Sequence, residues 1–214
     1  MSLHSKQALF EAIAVMGKAF ASPRRLELLD LLAQGPRTVD ALARATAQSS
    51  ANISQHLQSL HSAGLVSRAR EGTSVRYALA GDDALRLWLD LRDVSAARLA
   101  EVERAAEDYL GEEVERIGRA ELLARLANGE VVLIDVRPGE EFAAGHIQGA
   151  RSIPLEELEQ RLADLPEDAE LVAYCRGPFC AYAHEAVRRL KSHGRRARRL
   201  EDGWPEWRLA ARPG

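Results

Sequence analysis

Apolar residues recur three and four apart at Leu9, Ile13, Met16 and Phe20, a spacing that predicts an amphipathic helix over 6–20. Ser22 and Pro23 open a second helix as N-cap and first residue, and "RRLELLDLLA" carries it to a stop at Gly35-Pro36. Thr38 caps a short third helix, "VDALARA", and after a brief break "SSANISQHLQSLHSAGLV" buries Ile53, Leu57 and Leu60 on one face, with Gly64 as its C-cap. "VSRAREGTSVRYAL" then alternates as two strands around a turn at Glu71-Gly72. A long helix follows over 82–110, its stripe formed by Leu85, Trp88, Leu91, Leu99, Val102 and Tyr109, and the acidic "GEEVE" reads as a linker.

From about residue 117 the pattern changes. "ELLARLANG" predicts a helix, "VVLIDVR" a buried strand, "LEELEQRLADL" a helix, "ELVAYC" a strand, "CAYAHEAVRRLKSHG" a helix and "RARRL" a last strand. Strand and helix in alternation imply a central parallel sheet covered on both faces. The expected fold is therefore two-domain: an N-terminal α+β winged helix-turn-helix over 1–110 and a C-terminal α/β domain over 117–214.

Charge sharpens this division. The net charge of −3 hides a basic N-terminal piece: residues 1–81 hold nine Lys/Arg against five Asp/Glu, while 82–127 hold seven against twelve. A basic segment on an acidic chain points to a polyanion as its partner. No run of eighteen apolar residues is present, so no membrane span is expected, and the N-terminus lacks the features of a signal peptide. Two cysteines in 214 residues are too few for a secreted disulfide scaffold, which places the chain in a reducing cytoplasm.

The fourth helix carries short donors and acceptors outward, Ser50, Ser54, Gln55 and His56 among them, suited to base edges in a major groove. Arg70 and Arg76 on the hairpin are placed for backbone phosphates or the minor groove. The stretch from "FASPRRLELL" to "TSVRYAL" resembles the ArsR/SmtB family of bacterial repressors. That resemblance implies a homodimer and reversible binding to a double-stranded DNA operator, with recognition helices about 34–36 Å apart. Many members of that family bind metals through cysteines before the recognition helix, or through His and carboxylate pairs on the long helix. Here "VDALARAT" has no cysteine and 82–110 no histidine, so no metal site is expected, and no cofactor. His4, His56 and His61 read as surface residues.

Both cysteines, Cys175 and Cys180, lie in "AYCRGPFCAYAHEA", where a strand ends and a helix begins. Open parallel sheets bind ligands at this edge. Loop amides, the helix dipole and Arg176 would favour an anionic sulfur. The segments "VVLIDVR", "EEFAAGHIQGARSIPL", "YCRGPFC" and "LEDGWPEWR" resemble the rhodanese domain. The resemblance makes Cys175 a sulfane-sulfur acceptor cradled by Arg176, Gly177, Phe179 and Ala181, with Asp135 and Arg137 as a structural pair. Two departures stand out: Pro178 removes one amide donor, and Cys180 takes the late loop position. Ala181 stands where the phosphatase and arsenate-reductase variants need arginine, which excludes those reactions.

A thiolate near a persulfide can attack it, and Cys180 is the other thiol of the chain. The expected function is a transcriptional regulator that senses reactive sulfur from a sulfane-sulfur donor or polysulfide, through a persulfide, polysulfide or disulfide at these cysteines. The alternatives are a working sulfurtransferase that carries a DNA-binding domain, and a switch responding to peroxide. "RRARRL" reads as a strand with solvated flanks, Trp204 and Trp207 as caps on the core, and His146 and His184 as surface or hydrogen-bonded residues.

Overall fold

The structure, a computed structural model, describes residues 3–211. It divides into two compact units, residues 1–91 and 92–214.

In the first unit α1 (Leu3–Phe20) precedes α2 (Pro23–Ala33), and β1 (Arg37–Thr38) leads into α3 (Val39–Thr46). Then come α4 (Ser50–Ser62), β2 (Val66–Glu71) and β3 (Ser74–Leu79). Local chemistry sets the ends: the Thr38 hydroxyl accepts from the Ala41 amide at 3.2 Å, and the Ser49 hydroxyl from the Asn52 amide at 3.3 Å. Between α3 and α4 the chain turns through Ala47, whose φ of 52° lies in the left-handed region. The sheet has order β1-β3-β2 and is antiparallel, with Arg37 opposite Tyr77 and Arg68 also opposite Tyr77 across the hairpin. The short β1 was not anticipated, because two residues carry no periodicity. Leu28, Leu29, Leu32, Leu42, Ile53, Leu57, Leu60, Leu65 and Leu85 are fully buried and hold α2, α3 and α4 together. Each such side chain contributes about 1.5–3 kcal/mol by leaving water.

The boundary between the units falls within α5 (Asp82–Arg98). The expected helix over 82–110 is two helices, because Leu99 is extended (φ −116°, ψ 105°) before α6 (Ala100–Leu110). No glycine or proline lies at the break. Instead α6 is held from outside: the Arg188 guanidinium donates to the carbonyls of Leu110 (3.1 Å) and Glu112 (3.2 Å).

The second unit continues with β4 (Arg116–Ile117), α7 (Arg119–Ala127), β5 (Val131–Asp135), α8 (Gly139–Ala144) and β6 (Arg151–Ser152). It ends with β7 (Glu170–Tyr174), α9 (Ala181–Ser192), β8 (Ala197–Leu200) and α10 (Trp204–Ala210). The five strands are all parallel, in the order β4-β8-β7-β5-β6. One face carries Ile134, Ala173, Val187 and Leu190; the other carries Val131, Leu133, Val172 and Leu200, with Trp204 and Trp207 packed on it. The helix expected over 155–165 is absent. Two single 3₁₀ turns, Leu155–Glu157 and Leu162–Asp164, stand there between Pro154 and Pro166, and they bury Leu158 and Leu165. Proline at both ends leaves too short a span for a stable helix of its own.

Candidate functional site

In the first unit α4 buries Ile53, Leu57 and Leu60 and turns the intervening polar residues outward. Ser50 and Gln55 are exposed, and Ser54 and His56 are half-buried. Two of these hydroxyls are engaged: Ser50 Oγ donates to Asp40 Oδ1 at 2.9 Å, and Ser54 Oγ to the Ser50 carbonyl at 2.7 Å. On the hairpin Arg70 is exposed, its Nε 3.3 Å from the Gly72 carbonyl. Arg76 is held more firmly, by Glu71 at 3.2 Å and the Pro36 carbonyl at 3.0 Å. Arg70 is therefore the freer cation of the two.

In the second unit the cysteine loop runs from the end of β7 to the start of α9. Cys175 is buried, Cys180 half-buried, and the two are joined by a disulfide with Cα atoms 6.2 Å apart. That separation lies inside the window an unshifted backbone can bridge. The Cys180 amide donates to the Gly177 carbonyl (3.1 Å) and Pro178 has no N–H, so two of the loop amides are withdrawn from any anion. Phe179 and Ala181 are half-buried on either side of Cys180.

The loop is clamped by α10. The Trp204 amide donates to the Cys175 carbonyl at 3.2 Å. A Cβ on Gly203 would collide with the Gly177 amide nitrogen and the Arg176 carbonyl, so only glycine admits this approach. Gly177 itself has φ +153°, and a Cβ there would lie 3.1 Å from Arg92 Nη1 and 3.3 Å from Glu206 Oε1. Arg92 and Glu206 form an ion pair of 2.6 Å against the loop backbone, and Glu206 also accepts from the Gly203 amide at 2.9 Å.

Arg176 does not stand as an unpaired charge beside Cys175. Its guanidinium meets both oxygens of buried Glu141, at 2.6 and 3.0 Å, and lies 5.4 Å from the Tyr182 ring centre. Asp135 and Arg137 are fully buried and paired at 2.6 Å, and Arg137 also donates to the Gly145 carbonyl at 2.8 Å. Burial opposes the Arg137 charge, but hydrogen bonds to Asp135 and its attraction outweigh burial and hold the pKa above the ordinary value. Tyr174, the residue before Cys175, accepts from the Ile147 amide at 3.1 Å, and burial and then the Asp135 charge push its phenol well up.

Sequence reasoning gave no role to Arg92, Glu141, Arg199 or Glu206, and read His184 as a surface or hydrogen-bonded residue. Glu141 and Glu206 fall inside segments that resemble the rhodanese domain, but their partners Arg176 and Arg92 are distant in sequence. His184 departs from expectation most clearly. It is 4% exposed, and neither ring nitrogen has a hydrogen-bond partner. Burial, then the charges of Arg199 and Arg188, lower its pKa to about 4, so it is neutral at pH 7. Among the described residues no group of three His, Cys, Asp or Glu is arranged to hold a metal ion, and no helix is long and apolar enough to cross a membrane.

The chain thus joins a winged helix-turn-helix unit to a parallel-sheet unit with a cysteine loop at a strand end. Comparison with known proteins agrees. Residues 22–68 match the arsR family of bacterial regulatory proteins, and residues 119–210 match the Rhodanese-like domain. The chain is 51% identical to the HTH-type transcriptional regulator Rv0324 of Mycobacterium tuberculosis over 208 residues, 97% of this chain and 92% of the relative. It is 34% identical to a sulfurtransferase of Allochromatium vinosum over 83 residues, 38% of this chain and 78% of the relative. A solved homodimeric winged helix-turn-helix DNA-binding domain, Mb0332 (fragment 1–100) from Mycobacterium bovis, is 45% identical, with TM-score 0.44. That match covers 46% of this chain and 91% of the other. The chain belongs to the ArsR family of HTH-type transcriptional regulators and carries a C-terminal rhodanese-like domain.

Proposed function

We propose that this regulator is a homodimeric, operator-binding repressor whose cysteine loop senses sulfane sulfur. The observation that carries the reading is the pairing of Cys175 with Cys180 inside one strand-to-helix loop. A sulfane donor R–S–SH transfers its outer sulfur to the Cys175 thiolate, and R–SH leaves. The Cys180 thiolate then attacks the inner sulfur of the Cys175 persulfide, HS⁻ departs, and the disulfide remains. A dithiol is thereby oxidised and the sulfane sulfur is reduced to sulfide.

Surface features support the DNA-binding half. Ser50, Ser54, Gln55 and His56 serve base edges, and Arg70 and Arg76 serve phosphates. Leu9, Phe10 and Ile13 of α1 are 57–58% exposed, an apolar face that a second copy would cover. The boundaries 1–110 and 117–214 are the working division between DNA binding and sensing. Coupling of about 1–3 kcal/mol between loop and operator would suffice for about 5- to 150-fold release.

A second reading, turnover as a sulfurtransferase, draws on the likeness to the Allochromatium vinosum enzyme. Pro178 and the disulfide weigh against it, since one removes an anion donor and the other caps the acceptor. Mobility-shift titrations with operator DNA, before and after a polysulfide donor, test the proposal. Wild type should release DNA, whereas Cys180→Ser should take up sulfur at Cys175 by mass spectrometry yet stay bound. Equal release by the variant overturns the sensing step, and many turnovers with thiosulfate and cyanide favour the enzyme.

A further inference from the structure

Behind the cysteine loop the second unit holds a cavity of about 660 Å³ that the sulfur chemistry does not use. Its volume suits a small organic molecule. One end is set by His184 and Arg199, 4% and 5% exposed. Both nitrogens of His184 and Nε of Arg199 lack hydrogen-bond partners. Arg199 makes no ion pair among the described residues; its Nη1 reaches only the carbonyls of Leu200 (3.1 Å) and Glu201 (3.4 Å). Glu113 and Arg116 also line the cavity and are paired with each other at 2.9 Å, so the Glu113 charge reaches Arg199 only from a distance and shared with Arg116. A buried cation with no carboxylate in contact, beside a buried imidazole, is an arrangement that an entering carboxylate completes.

The other wall carries the opposite charge. Glu103 and Glu107 sit one turn apart on α6, line the same cavity and pair with no cation among the described residues. Between the two ends the lining is apolar, from Ala106 and Leu110 on one side and Pro178 and Phe179 on the other. A simple anion would meet the two glutamates, and a simple amine would meet Arg199. A molecule with both charges and a short apolar body matches these two ends and the apolar lining between them, while Glu113 and Arg116 satisfy each other. We propose that this cavity is a binding site for a free α-amino acid with an aliphatic side chain. Its carboxylate lies at Arg199 and His184, its ammonium at Glu103 and Glu107, and its side chain against Leu110 and Phe179.

Isothermal titration calorimetry of the full chain with L-leucine, L-valine and L-methionine tests this, alongside leucinamide and N-acetylleucine. Nuclear magnetic resonance of the histidine C2–H signals reports the site directly. At least one amino acid should bind saturably at one per chain and move the His184 signal. Each blocked analogue should bind at least about tenfold more weakly, since each loses one charged contact. Glu107→Gln, an exposed change that spares folding, should weaken binding similarly, and His184→Gln should abolish the response at that ring. Absence of binding by all three amino acids at millimolar concentration overturns the proposal. So does N-acetylleucine binding as well as leucine, which would mark a plain carboxylate site, or leucinamide doing so, which would mark an amine site.

Discussion

The two units handle polar chemistry in opposite ways. The first builds its core beneath α4 mainly from leucine and isoleucine, with Gln34, Arg37 and Thr46 buried at its margin, and sets its working side chains on the outside, where Ser50 and Gln55 meet solvent. The second draws charge inward: Asp135, Arg137, Glu141, His184 and Arg199 are all buried around the sheet and cysteine loop. Exposed groups work by being available, and their energetics are small and screened by salt. Buried groups work by being fixed, and each is costly if its partner is lost. Reading DNA needs the first arrangement, and holding one loop against a helix end needs the second.

The sharpest break of this comparison is at the buried pair. Arg137→Leu strands the buried Asp135 without its guanidinium partner and should cost about 3–5 kcal/mol in urea unfolding. The double change Asp135→Leu with Arg137→Met should cost less than Arg137→Leu alone. Equal losses would mean that the pair itself, rather than the stranded charge, dominates.

Next comes pH. His184 has a folded pKa of about 4, below its unfolded value of about 6.5. Above pH 6.5 the ring is neutral in both states and nothing is lost. As pH falls from 6.5 to 4 only the unfolded chain takes the proton, so stability drops, by on the order of 3 kcal/mol at most. Urea unfolding at pH 7 and pH 5 should show this drop in wild type and a flatter profile in His184→Gln.

The exposed surface should respond more mildly. Arg70→Ala should reduce the salt slope of operator binding by about one unit and leave sequence preference intact. Arg76→Ala should do less, because Glu71 already neutralises that guanidinium at 3.2 Å. The smallest effect falls on the α3–α4 turn. Ala47 occupies a left-handed conformation that glycine adopts freely, so Ala47→Gly should raise stability by about 0.5–1 kcal/mol, read from the urea midpoint.

The same contrast explains what could be read from the chain. In the first unit the apolar stripe of α4, the Thr38 cap and the Glu71-Gly72 turn act over four residues or fewer, so spacing revealed helices and wing alike. In the second unit the cysteine loop was legible because a strand-type run, Gly-Pro and a helical pattern stand in sequence. The clamp on that loop was not. Arg92, Glu141 and Glu206 lie 85, 35 and 29 residues from their loop neighbours Gly177, Arg176 and Gly177. Glu141 and Glu206 fall inside segments that resemble the rhodanese domain, but no local spacing ties any of the three to the loop. The break at Leu99 and the 3₁₀ turns over 155–164 were likewise invisible, since packing and flanking prolines overrode a helical pattern.

Short-range order, then, is what this amino-acid sequence determined by itself: periodicity, capping and turn chemistry name the elements, the winged and parallel-sheet classes, and the loop with two thiols. Tertiary structure alone decided which charges became buried, that Arg176 is neutralised by Glu141, that His184 and Arg199 line one cavity, and how glycines 177 and 203 let α10 close on the loop. The physical reason is range. Hydrogen bonding along the backbone and amphipathic spacing act between near neighbours, whereas desolvation and ion pairing depend on what the folded chain brings close from far away.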